Sequence, residues 1–273
     1  MKAPIGVFDS GYGGLTVLKS IRNQFPENDL VYLGDNARSP YGTRSFDVVY
    51  KYTLEAVKYL FSLNCPLIIL ACNTASAKAL RTIQQKDLPK FFPDKKVLGV
   101  LRPTTEEIGH FSKAANVGVL GTSGTIDSKS YEIEINKFFP DIKVTQQSCP
   151  MWVPLVENNS FLEKGGQYFI KKYIDEIFNK SPKIDTLILA CTHYPLLKES
   201  ILKYAPKGVN VIEQGDLVSQ KLKDYLNRHQ LINDKLSKNS SLEILTSENH
   251  EKFDGHLNLF YGKNHHSKTV NFH

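Results

Sequence analysis

The chain has 273 residues, of which 41% are hydrophobic and 23% are charged, a composition typical of one large or two medium-sized globular domains. Its apolar runs are only as long as strands and its N-terminus lacks a signal-peptide core, so we expect neither a membrane span nor secretion. The formal net charge is +6, but the lysines alternate with acidic residues, which favours solvated helix faces over a nucleic-acid surface. Four irregularly spaced cysteines favour a reducing compartment. We therefore expect a cytoplasmic protein that binds neither nucleic acid nor membranes.

Strand-like and helix-like segments alternate along the whole chain. The predicted strands cover residues 5–8, 30–33, 67–71, 97–100, 117–120, 143–147, 187–190, 209–212 and 242–245. The predicted helices cover residues 15–25, 45–63, 75–85, 104–114, 130–139, 162–178, 196–204 and 216–229, with Thr74 as a candidate cap for the third of them. This order predicts an α/β fold with mainly parallel sheets flanked by helices.

Two stretches of the first half return in the second. IGVFDSGYGG at 5–14 is similar to VGVLGTSGT at 117–125, and LIILACNTA at 67–75 is similar to LILACTHYP at 187–195. The repetition predicts two similar domains, related by a pseudo-twofold axis, that face each other across a cleft. We expect residues 1–99 and 212–273 to form a discontinuous first domain and residues 100–211 to form the second. The tail after Gly262 contains KNHHSK and predicts no function.

Two of the four cysteines end the repeated strands. Cys72 precedes Asn73 and Thr74, and Cys191 precedes Thr192 and His193. A thiol at the carboxyl end of a parallel strand lies where open α/β sheets bind ligands, and polar neighbours promote the reactive thiolate. Cys65 and Cys149 precede prolines without polar neighbours and are expected to be core residues.

Several kinds of chemistry compete for this pair of thiols. No Cys-x-x-Cys or closely spaced ligand set is present, which disfavours a metal centre or a dithiol redox couple. A single nucleophilic Cys191 assisted by His193 leaves Cys72 without a role. Two-base proton transfer, in which one thiolate removes a proton and the opposing thiol donates one to the other face, employs both cysteines.

Other polar or glycine-rich segments lie near predicted strand ends. The loop at 9–14 lacks the last glycine of a dinucleotide fingerprint, and its backbone N–H groups with Ser10 suit a carboxylate. Asp9 is placed to accept a hydrogen bond from a substrate amine or a thiol. The turn Pro40-Tyr41-Gly42 is a candidate for closing one side of the cleft, and Thr122 and Thr125 are the second half's counterparts. Asp35 and Glu157 are further carboxylates, for which a solvated surface position is an equal alternative.

In these motifs the chain resembles the glutamate racemases. The motifs are FDSGYGGLTVL at 8–18, GDNARSPYG at 34–42, ACNTAS at 71–76, GTSGT at 121–125 and ACTHYPLL at 190–197. The resemblance implies an enzyme without metal or cofactor that interconverts L- and D-glutamate for bacterial peptidoglycan, and it suggests a homodimer. An aspartate racemase or another two-cysteine relative is the main alternative, and a non-catalytic amino-acid-binding protein is a weaker one.

The resemblance also implies roles for individual residues. Cys72 would deprotonate D-glutamate and Cys191 would deprotonate L-glutamate. Asp9, Asp35, Glu157 and His193 match positions that assist proton transfer. The expected substrate contacts are Asp9, Ser10, Pro40, Tyr41, Gly42, Asn73, Thr74, Thr122, Thr125, Thr192 and His193.

Overall fold

The structure, a computed structural model, describes residues 2–262 and 264–272. Its strands are β1 (Ile5–Asp9), β2 (Leu30–Gly34), β3 (Leu67–Leu70), β4 (Lys96–Gly99), β5 (Asn116–Gly121), β6 (Lys143–Ser148), β7 (Thr186–Ala190), β8 (Asn210–Ile212), β9 (Leu242–Thr246) and β10 (Ser267–Thr269). The helices of the first half are α1 (Leu15–Gln24), α2 (Phe46–Ser62), α3 (Asn73–Lys78), α4 (Leu80–Thr82), α5 (Leu88–Phe91), α6 (Leu101–Thr105) and α7 (Ile108–Phe111). Those that follow are α8 (Ser123–Asp127), α9 (Ser130–Phe138), α10 (Trp152–Glu157), α11 (Lys164–Lys180), α12 (Lys198–Tyr204), α13 (Gly215–Arg228), α14 (Gln230–Asn233) and α15 (His250–Phe260).

The strands form two parallel sheets. The six-stranded sheet has the order β10-β9-β2-β1-β3-β4, and the four-stranded sheet has the order β6-β5-β7-β8. All pairings between neighbouring strands in both sheets are parallel. The central strands β1, β3 and β7 are buried along their whole length, as their near-continuous apolar sequences require. The predicted α/β fold with parallel sheets flanked by helices is therefore confirmed.

Strands from both ends of the chain share the first sheet. β9 pairs with β2 from Leu242 opposite Leu30, and β10 adds a further strand beyond it. Helix α13 packs against α1. The two helices are so close at Gly215 that a Cβ there would lie 2.5 Å from Ser20 Oγ. The domain limits at residues 99/100 and 211/212 stay a prediction.

Three local predictions differ from the structure. The segment after β3 starts its helix at Asn73, because the sulfur of Cys72 rather than Thr74 caps it by accepting from Ala75 N at 3.4 Å. The segment expected to be one helix over 104–114 is two short helices, and the first begins before Pro103, which is tolerated in a first turn. The uninterpreted tail contains β10, although Lys263 and His273 lie outside the described residues.

No helix among the described residues combines the length and the apolar character that crossing a bilayer requires.

Asp29, which directly precedes β2 of the six-stranded sheet, forms hydrogen bonds with the C-terminal part of the chain. Its carboxylate accepts hydrogen bonds from the backbone N–H and side-chain amide of Asn239 and from the backbone N–H and hydroxyl of Ser241, at 2.7–3.1 Å. Burial alone would raise the pKa of Asp29, but hydrogen bonds from Ser237, Ser241 and Asn239 hold the pKa well below its ordinary value.

We predict that Asp29→Asn lowers the free energy of unfolding by about 1–3 kcal/mol at pH 7, since hydrogen bonds to a charged group are lost. A depressed folded-state pKa stabilises the fold above the unfolded pKa of about 3.9, and the contribution is lost as the pH falls. Urea unfolding from pH 7 to pH 2.5 should show the gap between wild type and variant closing below about pH 4. Asp141→Asn, on an exposed loop, is the control; an equal effect there contradicts the assignment.

Candidate active site

A cavity of about 270 Å³ lies where the carboxyl ends of the two sheets meet. Strands β1 and β3 lead into it from the six-stranded sheet, and β5 and β7 lead into it from the four-stranded sheet. Its lining residues are Ser10, Ser39, Pro40, Tyr41, Gly42, Thr43, Cys72, Asn73, Thr74, Thr122, Ser123, Pro150, Val153, Pro154, Glu157, Asn158, Cys191, Thr192 and His193. Cys72 and Cys191 therefore face a common space.

Cys72 lies between a strand and a helix start. Its sulfur is 3.4 Å from Ser10 Oγ and 3.4 Å from the N–H of Ala75, and only 6% of the residue is exposed. Burial is the largest cause that raises the pKa of this thiol to about 12, and the negative charge of Asp9 adds to it, against the hydrogen bonds from Ser10 and Ala75. These surroundings therefore favour the thiol form of Cys72 at neutral pH.

Cys191 has a cationic neighbour instead. Its sulfur lies 3.9 Å from His193 Nδ1, and His193 Nε2 lies 2.9 Å from Glu157 Oε1. Burial lowers the pKa of His193, but the hydrogen bonds to Cys191 and Glu157 and their negative charges outweigh it and raise the pKa to about 10. His193 is therefore an imidazolium at neutral pH, held between a sulfur and a carboxylate.

Asp9 is buried behind the cavity wall and does not line it. It accepts a hydrogen bond from Gly11 N at 2.9 Å, and Thr192 Oγ1 lies 3.5 Å from its other oxygen. Burial is the largest effect on its pKa and raises it, whereas the charge of His193 and these hydrogen bonds lower it. Asp9 thus connects loops of the two halves next to Cys72.

Three threonine hydroxyls join the two sides of the cavity. Thr74 Oγ1 lies 2.9 Å from Thr122 Oγ1 and 3.3 Å from Thr125 Oγ1, and the last two are 3.1 Å apart. Thr74 and Thr122 line the cavity, whereas Thr125 is fully buried behind them. Thr125 therefore orients the other two hydroxyls from outside the cavity.

Asp35 lies outside the cavity lining as well. It is fully buried, pairs with Arg38 Nε at 2.7 Å, and accepts hydrogen bonds from the hydroxyls of Tyr41 and Ser247. The alternative of a solvated surface carboxylate is wrong for Asp35 because these partners enclose it. Tyr41, which does line the cavity, uses its hydroxyl on Asp35.

A buried polar network lies behind Asn73, and no sequence motif predicts it. The side chain of Asn73 donates to Gln214 Oε1 at 2.7 Å and accepts from Tyr131 at 2.6 Å. Gln214 also donates to Tyr131 and to Thr104 Oγ1, so one glutamine joins segments of both halves. No local motif marks Gln214 or Tyr131, because their partners lie far away along the chain. Asn73 is 141 positions from Gln214 and 58 from Tyr131, and Gln214 is 83 positions from Tyr131.

Part of the cavity lining was also not predicted. Seven lining residues were not predicted: Ser39, Thr43, Ser123, Pro150, Val153, Pro154 and Asn158. Ser39, Thr43 and Ser123 are adjacent in sequence to predicted contacts, so they could have been predicted from that adjacency. In the segment at 150–158, only Glu157 was a candidate site residue. The described lining residues include no Arg or Lys, so an anionic ligand must be held by hydroxyls, backbone N–H groups and the imidazolium of His193.

Within residues 2–262 and 264–272, no group of three or more His, Cys, Asp or Glu side chains is arranged to hold a metal ion. The expectation that the protein uses neither metal nor cofactor stays a prediction.

Gly13 lies where loops of the two halves touch. A Cβ at this position would lie 2.2 Å from Thr192 Oγ1 and 2.4 Å from His193 Nδ1, too close for any side chain. We predict that Gly13→Ala lowers the midpoint of thermal unfolding by several degrees, because separating these loops disrupts packing around His193. Gly255→Ala, where no atom lies within 4 Å of the new Cβ in α15, should be neutral or stabilising. Equal midpoints for the two variants, measured by calorimetry, contradict this contact.

Residues 5–221 match the family model described as Asp/Glu/Hydantoin racemase. The glutamate racemase of Persephonella marina is 44% identical over 220 residues, which are 80% of this chain and 81% of that protein. A glutamate racemase isoform of Bacillus anthracis superposes with a TM-score of 0.89 at 32% identity, over 98% of this chain and 97% of that one. The glutamate racemase of Francisella tularensis, solved in complex with D-glutamate, gives 0.87 at 32% identity over 99% and 98% of the two chains. The chain belongs to the Asp/Glu racemase family.

Proposed function

We propose that the protein is a glutamate racemase, an isomerase that interconverts L- and D-glutamate by proton transfer at the α-carbon and supplies D-glutamate for peptidoglycan. The observation that carries the proposal is the cavity lined by both Cys72 and Cys191, each at the end of a central strand of a different sheet. The curated relatives and solved structures that carry the same name support glutamate as the substrate.

Each direction of the reaction uses the thiols in opposite roles. In the D-to-L direction, the thiolate of Cys72 removes the α-proton, and the thiol of Cys191 donates a proton to the opposite face of the planar carbanion. The turnover ends with Cys72 as a thiol and Cys191 as a thiolate, and the reverse direction restores the first state. The ammonium group of the substrate brings positive charge next to Cys72, which offsets the burial and the Asp9 charge that keep this thiol protonated.

The difficult step is the loss of the α-proton, which leaves negative charge next to the substrate carboxylate. The hydroxyls of Ser10, Thr74, Thr122 and Thr192 surround the cavity, and the first N–H groups of α3 and α8 have no partners within their helices. Such fixed neutral donors stabilise a carboxylate that gains charge as the proton leaves, and the effect is strongest where water is excluded. Asp9 and Thr125 orient these groups. His193, paired with Glu157, assists proton transfer at Cys191.

Aspartate is the alternative substrate. Aspartate is shorter by one methylene, and a cavity that fits glutamate discriminates against it by at least about tenfold. Homodimer formation and a cytoplasmic location stay predictions.

We predict that Cys72→Ala and Cys191→Ala each lower racemisation by more than about a thousandfold, because each removes the acid or base from one face. The decay of the circular dichroism signal of L- and D-glutamate, and separately of aspartate, measures the activity. Cys65→Ala removes a buried thiol outside the cavity and is the control for folding. Wild-type protein that racemises neither amino acid refutes the function, whereas near-normal turnover by either active-site variant refutes only the two-base mechanism.

We predict that Glu157→Gln lowers the pKa of His193 by one unit or more, because a neutral amide replaces the carboxylate at 2.9 Å. Since the folded-state pKa of about 10 exceeds the unfolded value of about 6.5, the contacts of the protonated imidazole with Cys191 and Glu157 stabilise the fold fully below pH 6.5 and lose this effect as the pH rises through 10. Titration of the imidazole protons by NMR measures the shift, and unfolding at pH 6 and pH 10.5 measures the stability. Glu199→Gln, on an exposed position of α12, should change neither; an unshifted His193 in Glu157→Gln rules out the pairing.

A further inference from the structure

The C-terminal segment from Ser267 to Phe272 is attached firmly to the six-stranded sheet. β10 pairs in parallel with β9, and Val270 N donates to Thr246 O at 2.8 Å. Asp254 of α15 accepts from both the backbone N–H and the hydroxyl of Ser267, at 2.9 and 2.7 Å. The direction of the chain after β10 is therefore set by a strand pairing and by the hydrogen bonds at Ser267.

This attachment brings Phe272 to Arg38. The ring centroid of Phe272 lies 5.4 Å from the guanidinium carbon, and the ring of Tyr52 lies 4.0 Å from the same carbon. Phe272 also packs on Tyr59 of α2, with ring centroids 5.3 Å apart. Contacts of a guanidinium with aromatic faces are attractive and restrict its orientation.

Arg38 in turn orients two carboxylates. Its Nε donates to Asp35 at 2.7 Å, and its Nη1 donates to Glu55. Asp35 is fully buried and accepts the hydroxyl of Tyr41, so the position of the guanidinium is transmitted to a cavity-lining ring. Burial and the negative charge of Asp35 raise the pKa of Tyr41, which keeps its hydroxyl a hydrogen-bond donor.

The segment that contains Tyr41 has little freedom to move without altering the cavity. Ser39, Pro40, Tyr41, Gly42 and Thr43 all line the cavity. A Cβ on Gly42 would lie 2.9 Å from Thr122 Cβ, so the backbone here is close to the opposite wall. A small displacement of Tyr41 therefore changes the width of the cavity between Gly42 and Thr122.

We propose that Arg38 is a positioning residue for substrate binding and that Phe272, carried by the C-terminal segment, holds its guanidinium in place. The contacts run from Phe272 through Arg38 and Asp35 to Tyr41 at the cavity wall. The inference rests on the proposed function for the identity of the substrate, and it assigns the C-terminal segment a role in forming the cavity. It also assigns Asp35 an action through Tyr41.

Phe272→Ala is the first test. We expect KM for D-glutamate to rise about fivefold, with kcat changed less than about twofold, because the contact affects substrate binding equally in the ground and transition states. Phe272→Tyr keeps the aromatic face and should restore KM to within about twofold of wild type. Lys268→Ala removes a surface ion pair with Glu243 from the same segment and is the matched control.

Arg38→Lys is the second test. Lysine keeps the positive charge but cannot bond to Asp35 and Glu55 with one planar group, so KM should rise at least as much as in Phe272→Ala. Unchanged KM in both variants, or a loss of kcat alone that follows the fraction of unfolded protein, overturns the proposal.

A third readout does not require activity. The NMR signals of ¹³C-labelled tyrosine rings, with Tyr41 assigned from the Tyr41→Phe spectrum, should shift at Tyr41 in Phe272→Ala and in Arg38→Lys but not in Lys268→Ala. If wild-type protein does not racemise glutamate, the proposed function fails while this measurement still decides the contact chain. A Tyr41 signal that is unchanged in both variants refutes the chain even in an active enzyme.

Discussion

At the cavity, loops from the two sheets approach each other so closely that a Cβ atom has no room between them at two glycine positions. Gly13 faces Thr192 and His193, and Gly42 faces Thr122, each at a distance that excludes a Cβ. Hydrogen bonds then join the same surfaces, including Thr16 Oγ1 to Thr192 O at 3.0 Å. Close approach excludes water and places groups from both sheets within reach of one small ligand, which gives the thiols their common space.

Within this space the two thiols have opposite electrostatic surroundings. Burial and the nearby Asp9 carboxylate disfavour negative charge on Cys72, whereas Cys191 lies beside the imidazolium of His193. A two-base reaction needs one thiolate and one thiol at the start of each turnover, and these different surroundings make the two sulfurs inequivalent. Substrate binding then adds an ammonium and two carboxylates. The charges of the ligand therefore affect the protonation of the thiols as well as the charges of the protein do.

Local sequence signals were sufficient to predict which strand-end residues line the cavity. Cys72 and Cys191 were located by the apolar strands before them, and Thr122 by its place after a strand. They were insufficient where function depends on distant partners. Gln214 is one of many polar residues until the fold brings it to Asn73, and Asp35 is an ordinary loop carboxylate until Arg38, Tyr41 and Ser247 surround it. The tail could not be interpreted because a three-residue strand such as β10 has too few residues to show periodicity.

These distant partners share one physical role. The described lining residues hold no Arg or Lys, so apart from the imidazolium of His193 the donors available to an anionic ligand are neutral, and their attraction falls steeply when distance or angle is wrong. Hydroxyl and backbone N–H donors tolerate a displaced loop less well than an attraction between full charges does. The enclosing residues, namely Asp9 behind Thr192, Thr125 behind Thr74 and Thr122, Gln214 behind Asn73, and Arg38 with Asp35 behind Tyr41, therefore fix the positions of groups that line the cavity without lining it themselves.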